Sequence, residues 1–132
     1  MEDALTSYLL GQTALTTLVG QRITWDERPQ LEALPSVILT VASAPIDYHH
    51  GGRANLQRAR VQADVWGIRP SQVLAIKRAL ITAVEAMTTS NTGAVIVRAF
   101  IENDFSSAPE DTGGGGRVFR RIVEFFVWHV GQ

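Results

Sequence analysis

Apolar positions recur along the chain in two periods, and the places where one period gives way to the other mark the elements. Residues 3–19 read as two short helical pieces. Asp3 is placed to cap the first, which carries Ala4, Leu5, Leu9 and Leu10. Gly11 breaks the run, Thr13 is placed to cap the second, and Leu15, Leu18 and Val19 follow before Gly20 ends it. Gln21–Trp25 is a short extended piece. Residues 26–35 form a polar connection held extended by Pro29 and Pro35. Ser36–Ser43, rich in β-branched residues, predicts a strand apolar enough to be buried on both faces. Residues 44–56, punctuated by Pro45, Gly51, Gly52 and Asn55, predict a loop longer than an ordinary hairpin connection.

From Gln57 the period becomes two. Ala59, Val61, Ala63 and Val65 alternate with Arg58, Arg60, Gln62, Asp64 and Trp66, a strand with one apolar and one charged face. Residues 70–88 switch to a helical stripe: Val73, Ile76, Leu80, Ala83, Val84 and Met87 lie on one side, with Lys77, Arg78, Thr82 and Glu85 mostly elsewhere. Pro70 suits the first turn, and Ser71 is an alternative cap. Ala94–Asn103 predicts a strand with Val95, Val97, Ala99 and Ile101 on its apolar face. Residues 104–116, with Pro109 and Gly113 to Gly116, predict a second long and mobile loop. Arg117–Val130 is the last strand, with Phe119, Val123, Phe125 and Val127 on one side.

This order predicts a single α+β domain over residues 1–132. It is an antiparallel β-sheet with one long amphipathic helix and short N-terminal helices packed on one face. The last strand is apolar on both sides toward its end, where Phe125 and Val127 alternate with Phe126 and Trp128. A helix layer covers one face of a sheet. The other needs the N-terminal segment or a neighbouring subunit, and the sequence favours neither.

Composition narrows the function. Hydrophobic residues make up 45% of the 132 residues, enough for a core. There is no cysteine, which excludes disulfides and Cys-based zinc or redox sites. No apolar run approaches a membrane span, and the acidic Met1-Glu2-Asp3 start is unlike a signal peptide, so the expectation is a soluble protein made in a cytoplasm. A net charge of −1 argues against a general nucleic-acid binder.

Catalytic motifs are scarce. No G-x-S-x-G, G-x-G-x-x-G or P-loop pattern occurs, and Gly113 to Gly116 lack the Lys-Ser/Thr and helix of a phosphate cradle. Asp47-Tyr48-His49-His50 is the one metal-like cluster, short of ligands with only His129 besides, and reads better as a loop tip or partner contact. Glu102, Asp104, Glu110 and Asp111 read as a solvated acidic rim rather than an acid–base pair. Arg58, Arg60 and Asp64 share one strand face, and Arg120 and Glu124 another. If the two strands pair, cross-strand ion contacts follow, either a solvated face or a charged face between subunits. Trp66 and Trp128 end those strands, and Trp is enriched at interface hot spots. The expectation is therefore a protein that is not an enzyme, with no catalytic residue, cofactor or metal. The candidate subunit or partner contacts are Asp47, Tyr48, His49, His50, Arg53, Arg58, Arg60, Asp64, Trp66, Arg120, Phe126 and Trp128.

Several short motifs in order resemble one family. Gly20-Gln21-Arg22-Ile23 followed by Asp26, Pro29-Gln30 and Leu34-Pro35-Ser36-Val37 resembles the opening of the tail completion proteins, or tail terminators, of long-tailed siphovirus-like phages, prophages and gene transfer agents. Arg60-Val61-Gln62-Ala63-Asp64-Val65-Trp66 resembles the family's central R-V-Q-x-D-V-W pattern. The helix at 70–87 and the closing Arg120-Arg121 and Phe126-Val127-Trp128 extend the likeness over roughly residues 3 to 129. The resemblance implies a structural protein of the virion, at the head-proximal end of the tail. It implies a homo-oligomeric ring, expected to have six subunits, that stops tail-tube polymerisation and meets the tail tube protein and a head-side connector or stopper. DNA passes through the centre without sequence-specific binding, and no membrane or cofactor is involved. The alternatives are another head–tail connector or tube subunit, a small metal-dependent enzyme using Asp47, His49 and His50, and a small DNA-binding factor.

Overall fold

A computed structural model of the chain describes residues 1–26, 34–44, 46, 48–49, 52–53, 56–111 and 117–130. Chain order is α1 (Glu2–Leu10), α2 (Thr13–Val19), β1 (Ile23–Trp25), β2 (Ser36–Ser43), β3 (Tyr48–His49), β4 (Gly52–Arg53), β5 (Leu56–Gly67), α3 (Pro70–Glu85), β6 (Ile96–Ser106), β7 (Glu110–Asp111) and β8 (Arg117–Val130). The main sheet runs β1-β2-β5-β8-β6, with β7 added to the start of β8. This is the expected α+β layering. The sheet is antiparallel except at one edge, where β1 joins β2 in parallel. The piece at 21–25 is thus a sheet member, through Ile23, Thr24 and Trp25 beside Val37, Ile38 and Leu39.

Helices α1, α2 and α3 serve the same face of the sheet. Leu5, Leu9, Leu15 and Val19 from the N-terminal helices meet Val73, Ile76, Leu80 and Val84 of α3. Together they cover Val37, Leu39, Val61, Ala63, Val65, Val123, Phe125 and Val127. The Tyr8 hydroxyl donates to the Ala83 carbonyl at 2.6 Å and ties α1 to α3. Burial pushes the Tyr8 phenol up, so it stays a donor. Trp25 Nε1 donates to Thr6 Oγ1 at 2.6 Å and ties α1 to the sheet edge. The N-terminal segment therefore lies on the α3 side, and among the described residues no helix covers the far face of the sheet, where Ser36, Ile38, Asp64 and Ile122 are nonetheless buried.

Several boundaries differ from the sequence expectation, each for a local reason. Helix α1 is capped by Met1, with Asp3 inside the first turn, and α2 by Gln12, with Thr13 its first residue. Helix α3 starts at Pro70 after Arg69, so Ser71 is not its cap. It ends at Glu85, where Asn91 folds back and donates from Nδ2 to the Ala86 carbonyl at 2.9 Å. Gly20, with φ 62°, ends α2 as expected, in a conformation that favours glycine. The 44–56 loop holds a two-residue hairpin, β3 with β4, and β5 starts at Leu56. Strand β6 runs on to Ser106, so residues 104–106 belong to the sheet and not to the second loop. The mobility expected of the glycine run at 113–116 falls outside the described residues.

The apolar face of β6 is also corrected. A register shift between Ile96 and Arg98 places Ile96, not Val97, in the core with Ala99, while Val95 and Ile101 pack at its margin. A bulge moves one residue across the sheet, which strict alternation cannot anticipate.

Candidate subunit and partner interface

The uncovered face is built from the alternate positions of β5, β8 and β6. Register aligns them in cross-strand rows: Ser36–Trp66–Arg120, Ile38–Asp64–Ile122–Phe105, Thr40–Gln62–Glu124–Asn103, Arg60–Phe126–Phe100 and Arg58–Trp128–Arg98. Alternation of side chains puts each row on one side of the sheet, opposite Val61, Val123 and Phe125. The period-two pattern in the sequence is thus the cause of a two-sided sheet.

Charge on this face is neutralised mainly within it. Arg60 pairs with Glu102 at 2.8 Å, and Arg120 pairs with Asp64 at 3.1 Å. Gln62 Nε2 donates to Asp64 Oδ1 at 3.0 Å. The arginines also lie over rings. Arg58 stands 4.8 Å from the Phe126 centroid and 5.7 Å from that of Trp128. Arg60 is 5.1 Å from Phe126, Arg98 is 5.8 Å from Phe100, and Arg120 is 5.1 Å from Trp66. Each such contact contributes about 0.5–1 kcal/mol at an exposed site. Together they hold long side chains in fixed orientations and lower the entropy cost of a later contact. Large apolar groups stay open on the same face: Phe100 is 50% exposed, and Leu56, Phe105 and Val130 are exposed as well.

Seven of the twelve candidate contacts come together here: Arg58, Arg60, Asp64, Trp66, Arg120, Phe126 and Trp128. Tyr48, His49 and Arg53 belong to the separate β3–β4 hairpin, where Tyr48 is opposite Arg53. Asp47 and His50 lie outside the described residues, so the proposed loop tip is described only in part. Among the described residues no group of three His, Cys, Asp or Glu could hold a metal ion, and no helix is long and apolar enough to cross a membrane.

One expectation about charge is corrected, and the expected cross-strand Arg–carboxylate contact between β5 and β8 is present as Arg120 with Asp64. Glu102 and Asp104 are not a solvated loop rim, because both sit on β6 and are ion-paired. The partner of Arg60 is Glu102 of β6, while Glu124 faces Gln62 and Asn103. Asp104 lies on the helix side, 2.9 Å from Lys77 of α3 and 3.4 Å from Arg121. Burial alone would raise its pKa. The Lys77 hydrogen bond and charge, with Arg121, outweigh this and hold the carboxyl below the usual carboxylate range.

The sequence reading did not single out Arg98, Phe100 or Phe105. Their signal was weak but present: they occupy the positions of β6 that alternate with Ala99 and Ile101, opposite the aromatic positions of β8.

A two-layer α+β domain with one helix-covered and one open, arginine- and aromatic-lined sheet face defines a protein suited to packing against other protein surfaces. The chain belongs to the family described as "Tail completion protein gp17", whose model matches residues 3–129. It is thus a structural protein of the virion tail, as the motif order implied. Its fold is similar to a chain in the structure described as "Virion of native gene transfer agent (GTA) particle". The TM-score is 0.67 at 16% sequence identity, over 99% of this chain and 95% of that one. No curated protein matches the chain by sequence.

Proposed function

We propose that this protein forms a ring at the head-proximal end of the tail tube, ends tube polymerisation there and joins the tail to the head-side connector. The family match over residues 3–129 carries this reading. The likeness to a chain described as part of a gene transfer agent virion agrees with it. The open sheet face supports it physically. A ring needs a head-to-tail contact between unlike patches, and this domain has two unlike sides. A net charge of −1 suits a ring through which DNA slides, since a strongly basic lining would hold the phosphates. In this reading the partners are further copies of the chain, six in the full ring, with the tail tube protein on one side and the connector on the other. The domain acts by shape and adhesion rather than by catalysis.

The test is electron microscopy of particles from a producer lacking this gene. Filled heads beside separate tails, or tails of uncontrolled length, are the expected outcome. Joined particles with tails of normal, fixed length would overturn the reading.

A further inference from the structure

The open face carries two arginines that no carboxylate among the described residues holds. Arg60 has Glu102 and Arg120 has Asp64. Among the described residues Arg58 and Arg98 have no carboxylate partner. They flank Trp128 in one cross-strand row and lie over aromatic rings, Arg58 over Phe126 and Trp128 and Arg98 over Phe100. A ring beneath a guanidinium covers its face and leaves the in-plane N–H donors for another group, and carboxylates match that fork. Half-exposed Phe100 stands beside them.

The complementary charge is on the same chain. The whole protein carries −1, so setting these two arginines aside leaves −3 on the remainder. Glu2 and Asp3 are adjacent, exposed and in the first turn of α1, on the helix side. Asp3 borders a cleft of about 380 Å³ that is also lined by Ser7, Tyr8, Thr92 and Gly93. Thr92 Oγ1 accepts the Ile96 N–H at 3.0 Å, which places this cleft beside the start of β6. Arg98 and Phe100 follow on that strand. The basic-aromatic patch and the acid-edged cleft therefore lie at the same end of the sheet, on its two opposite sides. Successive copies can then meet at one level, as a closed ring requires. A twofold contact of the open face with itself would set Arg58 and Arg98 against their own copies, which like-charge repulsion disfavours.

We infer that the Arg58–Trp128–Arg98 row and Phe100 of one copy dock into the Asp3–Gly93 cleft of the next copy, head to tail. This deepens the ring reading above and rests on it. The lack of native cysteine allows a direct test. A chain carrying Phe100→Cys and Ser7→Cys is supplied to the producer in place of the wild type, and assembled tails are treated with a short bis-maleimide. The two positions lie on opposite sides of the sheet, so a cross-link between them joins different copies. The expected result on a denaturing gel is a ladder of multimers, ending at the subunit number of the ring, which neither single variant gives. Monomer alone from the double variant, in tails that contain it, overturns the docking and leaves the proposed function standing. Efficient dimers from Phe100→Cys alone overturn it in favour of a face-to-face contact. Wild-type tails lacking the chain altogether overturn both the docking and the proposed function. Should Phe100→Cys not accumulate, Arg98→Cys with Asp3→Cys reads the same contact with the same outcomes.

Discussion

The two sides of the sheet use the same strands for opposite purposes. On the helix side, Val61, Ala63, Val65, Val123, Phe125 and Val127 are fully buried, and the stabilisation comes from apolar area removed from water. On the open side, one residue along in each strand, Arg60, Gln62, Glu124 and Phe126 stay partly exposed among ion pairs, hydrogen bonds and ring contacts, while Asp64 is buried beside Arg120. Phe125 and Phe126 are neighbours in sequence and belong to different environments. The lesson is that a strand with two apolar-looking faces is not necessarily buried twice. The second face can be held in place by charge and aromatic contacts until a partner covers it.

The largest test of this contrast is a pair of adjacent truncations. Phe125→Ala should lower unfolding stability by about 3–5 kcal/mol, as expected for emptying a fully buried aromatic site. Phe126→Ala should cost about 1 kcal/mol or less, because the ring is only partly buried and loses mainly its contacts with Arg58 and Arg60. Urea unfolding of the two purified variants measures both. Particle yield should fall for both, for Phe125→Ala through folding and for Phe126→Ala with the fold intact. Equal stability losses would mean that the open face is as much a core as the covered one.

A smaller contrast compares one polar contact from each side. Tyr8→Phe removes the buried hydrogen bond to the Ala83 carbonyl and should cost about 0.5–1.5 kcal/mol, with little dependence on salt. Glu102→Gln weakens the pair with Arg60, whose side chains are 31% and 38% exposed, and should cost about 0.2–1 kcal/mol at low salt. That second loss should shrink as salt screens the pair. Unfolding at low and at high salt separates them. A salt-insensitive loss for Glu102→Gln would show that the open-face pair is sheltered more than its exposure suggests.

Much of this contrast was legible in the sequence because it is written in period two. The alternation of Ala59, Val61, Ala63 and Val65 with Arg58, Arg60, Gln62 and Asp64 fixes both faces of β5, and the last strand matches its predicted bounds, Arg117–Val130. The helical stripe of α3 was equally plain, since Val73, Ile76, Leu80, Ala83, Val84 and Met87 are all buried. What could not be read depends on pairing. The bulge at Ile96–Arg98 is a property of β6 against β8, and the parallel addition of β1 depends on where residues 34–37 return. The cross-strand contact expected between the two charged strands is present as Arg120 with Asp64, whereas the partner of Arg60 comes from β6, whose place beside β8 no local pattern gives. The same limit hid Arg98 and Phe100. Their importance arises from the row that register makes with Trp128 and Phe126, which no local pattern contains.

An effect as small as that of Glu102→Gln lies at the rim of the covered side, where Asp104 pairs with Lys77 and Arg121. Lys77 and Arg121 favour its charged form in the folded chain and hold its pKa below the ordinary value of 3.8. In acid the unfolded chain therefore takes up this proton before the folded chain does. Stability from the carboxylate is complete above the unfolded value and declines as pH falls through the folded one. Asp104→Asn should thus be less stable than wild type at pH 7 by about 0.2–1 kcal/mol, since these side chains remain partly exposed. The deficit should vanish toward pH 2, where wild type has also lost the charge. Urea unfolding of both proteins at pH 7, 4 and 2.5 measures it. A deficit that persists unchanged in acid would assign the role of Asp104 to hydrogen bonding within the β6 backbone rather than to the charge that links α3 to the sheet.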